Sequence, residues 1–147
     1  MPFISVTRLR LRSLRFLPGF AWHTWASARQ LRRAPGFVAG QFVGEGPRGF
    51  WTVTAWRDAS AMRDYRNSSA HLRAMPKLLG WCDEASVVHW EQDTPELPEP
   101  AAALERMRAE GRLSKVRHPS AAHADRQIAP GGQLPRPGPR LHPARGG

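Results

Sequence analysis

The order of strand-like and helix-like segments is the feature that most constrains how this chain can fold. Alternating or β-branched apolar residues, typical of strands, occur in four segments: residues 3–11, 37–46, 50–56 and 85–91. Apolar residues recur at helical spacing in the two segments between them, one before Pro35-Gly36 and one after Asp58. The order β-α-β-β-α-β predicts an α+β, ferredoxin-like fold with an antiparallel sheet.

Local signals define how these elements begin and end. The glycines of "GEGPRG" permit a tight hairpin between the second and third strands. Asp58 is a predicted N-cap, because its carboxylate can accept from free N–H groups of the following helix. Asn67, Ser68 and Ser69 prefer caps and turns, so we expect the second helix to break there. Such a break frees His71 from the phase of the preceding turns.

The first helix carries an apolar stripe that predicts which side meets the sheet. Phe20, Thr24, Ala28 and Leu31 fall on one arc, with Ala21 and Trp25 beside them. We expect this stripe to pack on one face of the sheet. The strands have apolar residues at both phases, so the other face is expected to be covered by a second subunit.

The chain divides into three parts by composition. Residues 1–93 are predicted to form one ferredoxin-like domain, and residues 94–127 an arm with a short helix closed by Gly111. Residues 128–147 contain five Pro, five Gly, three Arg and no acidic residue. Such a segment buries too little apolar surface to offset the entropy of ordering, so we expect it to be disordered.

The net charge of +10 is unevenly distributed. Residues 1–36 hold seven Arg and no acidic residue, whereas residues 37–93 hold six basic and seven acidic residues. One cysteine, Cys82, excludes an internal disulfide and is expected to be a small buried apolar residue. Because no apolar run is long enough to span a membrane, we predict a cytoplasmic protein with no membrane partner.

The segment "FWTVTAWRDASAMRDYRNSSAH" carries a resemblance to a known family. A strand ending in Trp, an acidic cap, a helix and then Ser-x-x-His resemble the antibiotic biosynthesis monooxygenase superfamily over about residues 3–93. The arm "GRLSKVRHPS" is similar to the ending of a bacterial branch of that superfamily. The resemblance implies a homodimeric α/β barrel with a pocket between each subunit's own sheet and helices.

The resemblance also implies a function and candidate site residues. It favours a monooxygenase-like enzyme that acts on a small hydrophobic or aromatic molecule without a bound cofactor. His71 is then the candidate catalytic base, since imidazole titrates near neutral pH. Trp56, Tyr65 and Asn67 are candidate substrate-binding residues. The competing interpretation places His71 near Asp64 on the solvated side of an unbroken helix.

His89 and the other histidines receive separate interpretations. His89 alternates with Val87 on the last strand and faces either the pocket, as a substrate-binding residue, or a dimer interface. No His clusters with Cys or acidic residues at metal-ligand spacing, so no metal site is predicted. Haem binding is a minor alternative, because Tyr65 fits the aromatic position of the haem-degrading branch but Met75 stands where that branch has its ligand.

Two further alternatives use the same fold. A non-catalytic small-molecule-binding or accessory dimer needs the pocket but no base. An RNA-recognition module has the same element order, and "RGFWTVTA" resembles part of its signature. The signature fails two residues after Phe50, where Thr52 replaces the second stacking aromatic, so nucleic-acid binding is disfavoured.

Overall fold

The computed structural model describes residues 1–130 and 135–144, except the side chains of residues 69–71. The elements in chain order are β1 (Phe3–Leu11), α1 (Leu17–Arg33), β2 (Phe37–Glu45), β3 (Gly49–Trp56), α2 (Ala59–Arg66), α3 (Ser69–Trp81), β4 (Cys82–Glu91), α4 (Pro100–Glu110), β5 (Arg112–Leu113), α5 (Ala121–Ala124) and β6 (Arg136–Leu141). A short 3₁₀ turn, Leu14–Phe16, precedes α1. The first seven strands and helices reproduce the predicted β-α-β-β-α-β order, with the second helix broken into α2 and α3.

The strands form one antiparallel sheet in the order β5-β4-β1-β3-β2-β6. Its four central strands follow the ferredoxin-like order, and the predicted fold class is confirmed. The predicted caps are confirmed as well. Asp58 accepts a 2.8 Å hydrogen bond from the Ala61 N–H, and the α2–α3 break falls at residues 67–68.

Alternating residues divide the sheet into an inner face, which meets α1, α2 and α3, and an outer face. Phe3, Ser5 and Thr7 of β1 point to the inner face, whereas Ile4 and Val6 point to the outer face. Strands β1 and β3 each have a strand on both sides, so their side chains reach solvent only through one of these two faces.

The outer face is covered by the C-terminal arm of the same chain, which corrects the expectation that only a second subunit would cover it. Ala103, Leu104 and Met107 of α4 pack against the outer-face core, together with Ile128 and Ala129. The members of that core on the sheet are fully buried or nearly so: Ile4, Val6, Val43, Trp51, Val53, Ala55 and Val88. The stripe at 103, 104 and 107 lies on one side of a helix, so α4 can pack that side on the sheet while residues 128 and 129 complete the cover.

The end of the chain also differs from the prediction. Residues 128–147 were expected to be disordered. Of these, residues 131–134 and 145–147 lie outside the described part of the structure, whereas Arg136–Leu141 forms β6 and pairs with β2. Without β6, the outer side of β2 would present unpaired backbone N–H and C=O groups. The prolines of β6 are tolerated because β6 is itself an edge strand, whose outer side needs no backbone donors. Gln41 reinforces the pairing by donating to the Gly138 carbonyl at 3.2 Å.

The residues that α1 buries differ in part from the predicted apolar stripe. Phe20 and Leu31 are buried as expected, but Trp25 and Ala21 are exposed. The buried side of α1 is therefore narrower than the predicted apolar arc. No described helix has both the length and the apolar character needed to cross a membrane.

Candidate functional site

Two separate apolar clusters hold the helices on the inner face. At one end, Phe3, Leu31, Phe37, Trp56, Ala61 and Met62 form a buried cluster, with Tyr65 against it. At the other end, Leu11, Phe20 and Cys82 form a second buried cluster, with partly buried Leu9, Phe50, Leu78 and Trp81 around it. The outer face has one continuous core instead. The inner layer is therefore packed at its two ends.

Between the two clusters lies a region that we call the central gap, bordered by Thr7, Phe42, Thr52 and Val87. Thr7 pairs with Thr52 on one side and Val87 on the other, and Phe42 pairs with Thr52. All four side chains are only partly buried. Because Thr7 and Thr52 lie on interior strands, their exposure indicates space between the sheet and the helices. Among the described residues, Phe42 and Val87 belong to neither cluster.

A row of polar side chains separates the central gap from the Trp56 cluster. In this row Ser5 pairs with Thr54 on one side and with His89 on the other. The Trp56 indole N–H donates to Thr54 Oγ1 at 2.9 Å, and the Thr54 hydroxyl donates to the Ser5 carbonyl at 3.3 Å. The row therefore offers a titratable imidazole next to hydroxyl groups along one edge of the gap.

His89 lies on the inner face of the sheet, and its predicted role in substrate binding stays a prediction. Its ring centroid lies 5.4 Å from that of Phe3, and its side chain is half-buried. Burial lowers the pKa of the His89 imidazole, and the positive charges of Arg112 and Arg66 lower it further. A neutral imidazole at neutral pH can accept a proton, which is the property required of a general base.

Trp56 and Tyr65 lie together, but both are already engaged. Trp56 is 1% exposed, and its ring centroid lies 5.4 Å from that of Tyr65. The Tyr65 hydroxyl donates to the Ser27 carbonyl of α1 at 3.1 Å, and burial raises the pKa of the phenol. Both residues lie at one end of the central gap. The Trp56 indole N–H and the Tyr65 hydroxyl each already donate to a partner within the protein.

The other two predicted site residues, Asn67 and His71, follow Tyr65 in the chain. Asn67 is the exposed C-cap of α2, where its backbone N–H donates to the Arg63 carbonyl. His71 lies in the first turn of α3, but its side chain is outside the described part of the structure. Its predicted role as catalytic base therefore stays a prediction. In the described residues, no group of three or more His, Cys, Asp or Glu side chains could hold a metal ion.

Sequence reasoning missed the residues that border the gap. Thr7, Thr52 and Thr54 occupy inward positions of central strands, where an apolar residue is the usual choice. That run of inward threonines was the available signal. Cys82, in contrast, is fully buried as predicted, and burial together with Asp83 raises the pKa of its thiol to about 12, which makes it a poor nucleophile.

Two surface depressions lie away from the central gap. One of about 430 Å³ lies on α4 and is lined by Ala101, Leu104, Glu105, Arg108 and Ala109. One of about 420 Å³ lies at the loop of residues 92–99. Both belong to the arm and are remote from the inner face of the sheet.

The fold and the gap define a ferredoxin-like α+β protein with its candidate site between sheet and helices. Comparison with known proteins adds a match to one family over part of the chain. The model of the antibiotic biosynthesis monooxygenase family matches residues 20–77, which run from α1 into α3. The matched segment is 58 of the 147 residues, so the chain is similar to this family over that segment.

Several solved structures share the fold at low sequence identity. A mutant of SnoaB, a cofactor-independent oxygenase from Streptomyces nogalater, is 19% identical with a TM-score of 0.54, covering 67% of this chain and 98% of that one. Rv0793 from Mycobacterium tuberculosis is 13% identical with a TM-score of 0.57, covering 64% and 97%. A conserved protein from Methanosarcina mazei is 12% identical with a TM-score of 0.58, covering 63% and 94%. No curated protein matches the sequence.

Proposed function

We propose that the chain is a monooxygenase-like enzyme that binds a small hydrophobic, aromatic molecule in the central gap and oxidises it without a bound cofactor. The central gap is the observation that carries this proposal. Its walls combine aromatic rings at both ends with threonine hydroxyls on the sheet, a mixture suited to a planar molecule with phenolic groups. The family match and the cofactor-independent oxygenase among the structural relatives support the same reaction class.

The reaction needs a base because the substrate itself must supply the electrons. Removing a phenolic proton gives an electron-rich phenolate that can donate to oxygen. With an anthrone, the methylene carbon loses two hydrogens and gains one oxygen atom of O₂, and the other oxygen atom leaves as water. We assign the base to His89, whose half-buried imidazole borders the gap, and His71, the catalytic residue predicted from the sequence, is the other candidate.

A second function, non-catalytic binding, is supported by a specific observation. The Trp56 N–H and the Tyr65 hydroxyl already have partners within the protein. They can shape the walls around a ligand without taking part in chemistry. If neither His89 nor His71 contributes a base, the gap is a binding site only.

The homodimer predicted from the sequence is a separate proposal. The sequence supports it through the family resemblance and through apolar residues at both phases of the strands, but the arm covers the outer face. A dimer with the two sheets facing each other therefore requires α4 to leave the outer face. Sedimentation of the full chain at several concentrations measures the association directly.

The test of the function uses a dihydroxyanthrone as probe. We expect saturable binding, oxygen uptake in equal amounts with product, and one labelled oxygen atom in the product when labelled O₂ is supplied. His89→Ala is expected to lower the rate by about a hundredfold, the usual contribution of a general base, and His71→Ala tests the other candidate. His118→Ala, in the exposed part of the arm, is the matched control.

The outcomes separate the alternatives. Binding without oxygen uptake above the buffer rate refutes the enzyme and supports the binding protein. No binding by the folded chain refutes both. A Soret band after haem titration would instead favour the haem alternative, and strongly salt-dependent RNA binding would favour the nucleic-acid one.

A further inference from the structure

The outward surface of α1 and α3 exposes four large apolar side chains. Trp22 is 63% exposed and Trp25 51% on α1, whereas Leu72 is 53% exposed and Met75 41% on α3. Single exposed apolar residues are ordinary, but four on two adjacent helices require an explanation. Tryptophan is the most costly of them to leave in water, because its ring has the largest apolar area.

Three of these side chains, Trp25, Leu72 and Met75, lie at the same level of the helix layer, and Trp22 lies just beyond them. Gln30 of α1 donates to the Ser68 carbonyl just before α3, and His23 Nε2 lies 3.3 Å from Lys77 Nζ farther along α3. The two helices therefore run antiparallel between these contacts. Trp25 lies between them on α1, and Leu72 and Met75 lie between them on α3.

The tryptophans form one unit with a basic residue. The rings of Trp22 and Trp25 stack at a centroid distance of 5.4 Å. The Arg29 guanidinium carbon lies 5.0 Å from the centroid of the Trp25 ring. A stacked indole pair with a guanidinium beside it combines an apolar surface with a fixed positive charge.

The charge of the two helices has a single sign. Together α1 and α3 contain five basic residues and no acidic residue. The basic residues are Arg29, Arg32, Arg33, Arg73 and Lys77, all of them exposed. The described outward side chains of α1 and α3 are therefore apolar or positively charged, and none is negatively charged.

We propose that this surface binds an anionic phospholipid membrane in the plane of the headgroups. Indole rings favour the boundary between headgroups and acyl chains, and Arg and Lys side chains are attracted to acidic headgroups. Such binding is peripheral and needs no spanning helix. This proposal replaces the expectation of no membrane partner, which rested on the lack of a spanning segment, and it does not depend on the reaction proposed for the central gap.

The same observations argue against two other partners. A second copy of the chain would bring five like charges against five, without an acidic residue on either helix to compensate. A single-stranded nucleic acid would use separate aromatic rings as stacking platforms, but here the two indoles stack on each other. It would also leave Leu72 and Met75 without a role.

The test measures partitioning of the full chain onto vesicles. Vesicles of phosphatidylcholine alone are compared with vesicles of equal parts phosphatidylcholine and phosphatidylglycerol, by cosedimentation at low and high salt. We expect binding to the anionic vesicles only, with partitioning that falls as salt rises. Brominated lipids are expected to quench part of the tryptophan fluorescence, which reports insertion of exposed indoles.

Two sets of variants locate the surface. Trp22→Ala with Trp25→Ala is expected to weaken partitioning by about tenfold or more, since both rings lose their apolar contact with the boundary. Arg29→Gln, Arg33→Gln and Arg73→Gln together are expected to weaken it by roughly a hundredfold, from about fivefold for each charge. Circular dichroism checks that both variants are folded.

A charge-matched control distinguishes this surface from general basicity. Arg112→Gln, Arg117→Gln and Arg126→Gln together remove the same charge from exposed positions of the arm. This control is expected to partition within about twofold of the wild type. Equal loss in the control and in the α1–α3 triple variant would refute the surface. No binding to anionic vesicles, or retained binding without both tryptophans, would refute it too, as would RNA binding that competes fully with vesicles.

Discussion

Arg8 makes a bidentate ion pair with Glu45 beneath the C-terminal arm. Its Nε and Nη2 atoms donate to the two carboxylate oxygens, each at 2.9 Å. Its third nitrogen, Nη1, donates to Glu84 at 2.7 Å, and Ser120 of the arm donates to the other Glu84 oxygen at 2.8 Å. The arm is therefore attached to the outer face by a hydrogen bond into this ionic cluster as well as by α4.

Glu45→Gln is expected to destabilise the protein by roughly 2–3 kcal/mol, because Arg8 is 3% exposed and loses a charged partner in a buried setting. Glu84 still pairs with Arg8, which keeps the loss below that of a wholly unpaired charge. Chemical denaturation measures the change. Glu110→Gln is the control, since its pair with Arg106 is exposed and contributes no more than about 0.5 kcal/mol. Equal effects would show that the Arg8 pair is not buried in solution.

The packing of α4 gives a second prediction. Met107 is fully buried against the outer-face core, so Met107→Ala is expected to cost about 2–5 kcal/mol in unfolding free energy. Met75→Ala removes the same side chain from an exposed position and is expected to change stability by less than about 0.5 kcal/mol. If the arm leaves the outer face in a sheet-to-sheet dimer, both substitutions will have small effects.

The sequence could predict the elements because each carries its own local signal. Alternation defines the strands, and Asp58 and the Asn67-Ser68-Ser69 run define where α2 begins and ends. It could not show where α4 packs, since the stripe at Ala103, Leu104 and Met107 reveals an apolar side but not the surface that receives it. The exposure of Trp25 could not be predicted for the same reason, because the apolar arc of a helix can be wider than the surface that it buries.

The candidate site was harder to predict than the fold. Trp56, Tyr65 and His89 could be selected from the chain, and the structure places all three around one end of the inner face. The central gap lies between two apolar clusters at opposite ends of the inner face. That spacing depends on contacts between distant residues, such as Phe20 with Phe50, which no single segment encodes.

Tyr65→Phe tests whether the phenol takes part in chemistry. Its hydroxyl donates to the Ser27 carbonyl, and burial raises the pKa of the phenol, so ionisation near neutral pH is not expected. The substitution is expected to cost about 1 kcal/mol in stability from the lost hydrogen bond. Oxygen uptake with the anthrone probe is expected to change by less than about threefold. A hundredfold fall in kcat, with the folded state intact, would assign Tyr65 a direct role.

The lowered pKa of His89 predicts a specific dependence of stability on pH. The unfolded chain has the ordinary imidazole pKa of 6.5, and the folded state has a lower one because of burial and the charges of Arg112 and Arg66. The unfolded chain therefore binds the proton more tightly, so acidification below about 6.5 favours unfolding, and the penalty is complete below the folded-state pKa.

His89→Gln removes the imidazole that binds this proton. The free energy of unfolding is then expected to vary less with pH between 6.5 and the folded-state pKa of His89. Glu45 and Glu84 act in a separate, more acidic window. Despite the opposing effect of burial, the hydrogen bonds from Arg8 lower the pKa of both carboxyls, so their contribution is lost only as the pH falls below 4.5. Urea denaturation at a series of pH values measures both windows. An unchanged slope in the upper window after His89→Gln would mean that His89 is solvated rather than half-buried at the central gap.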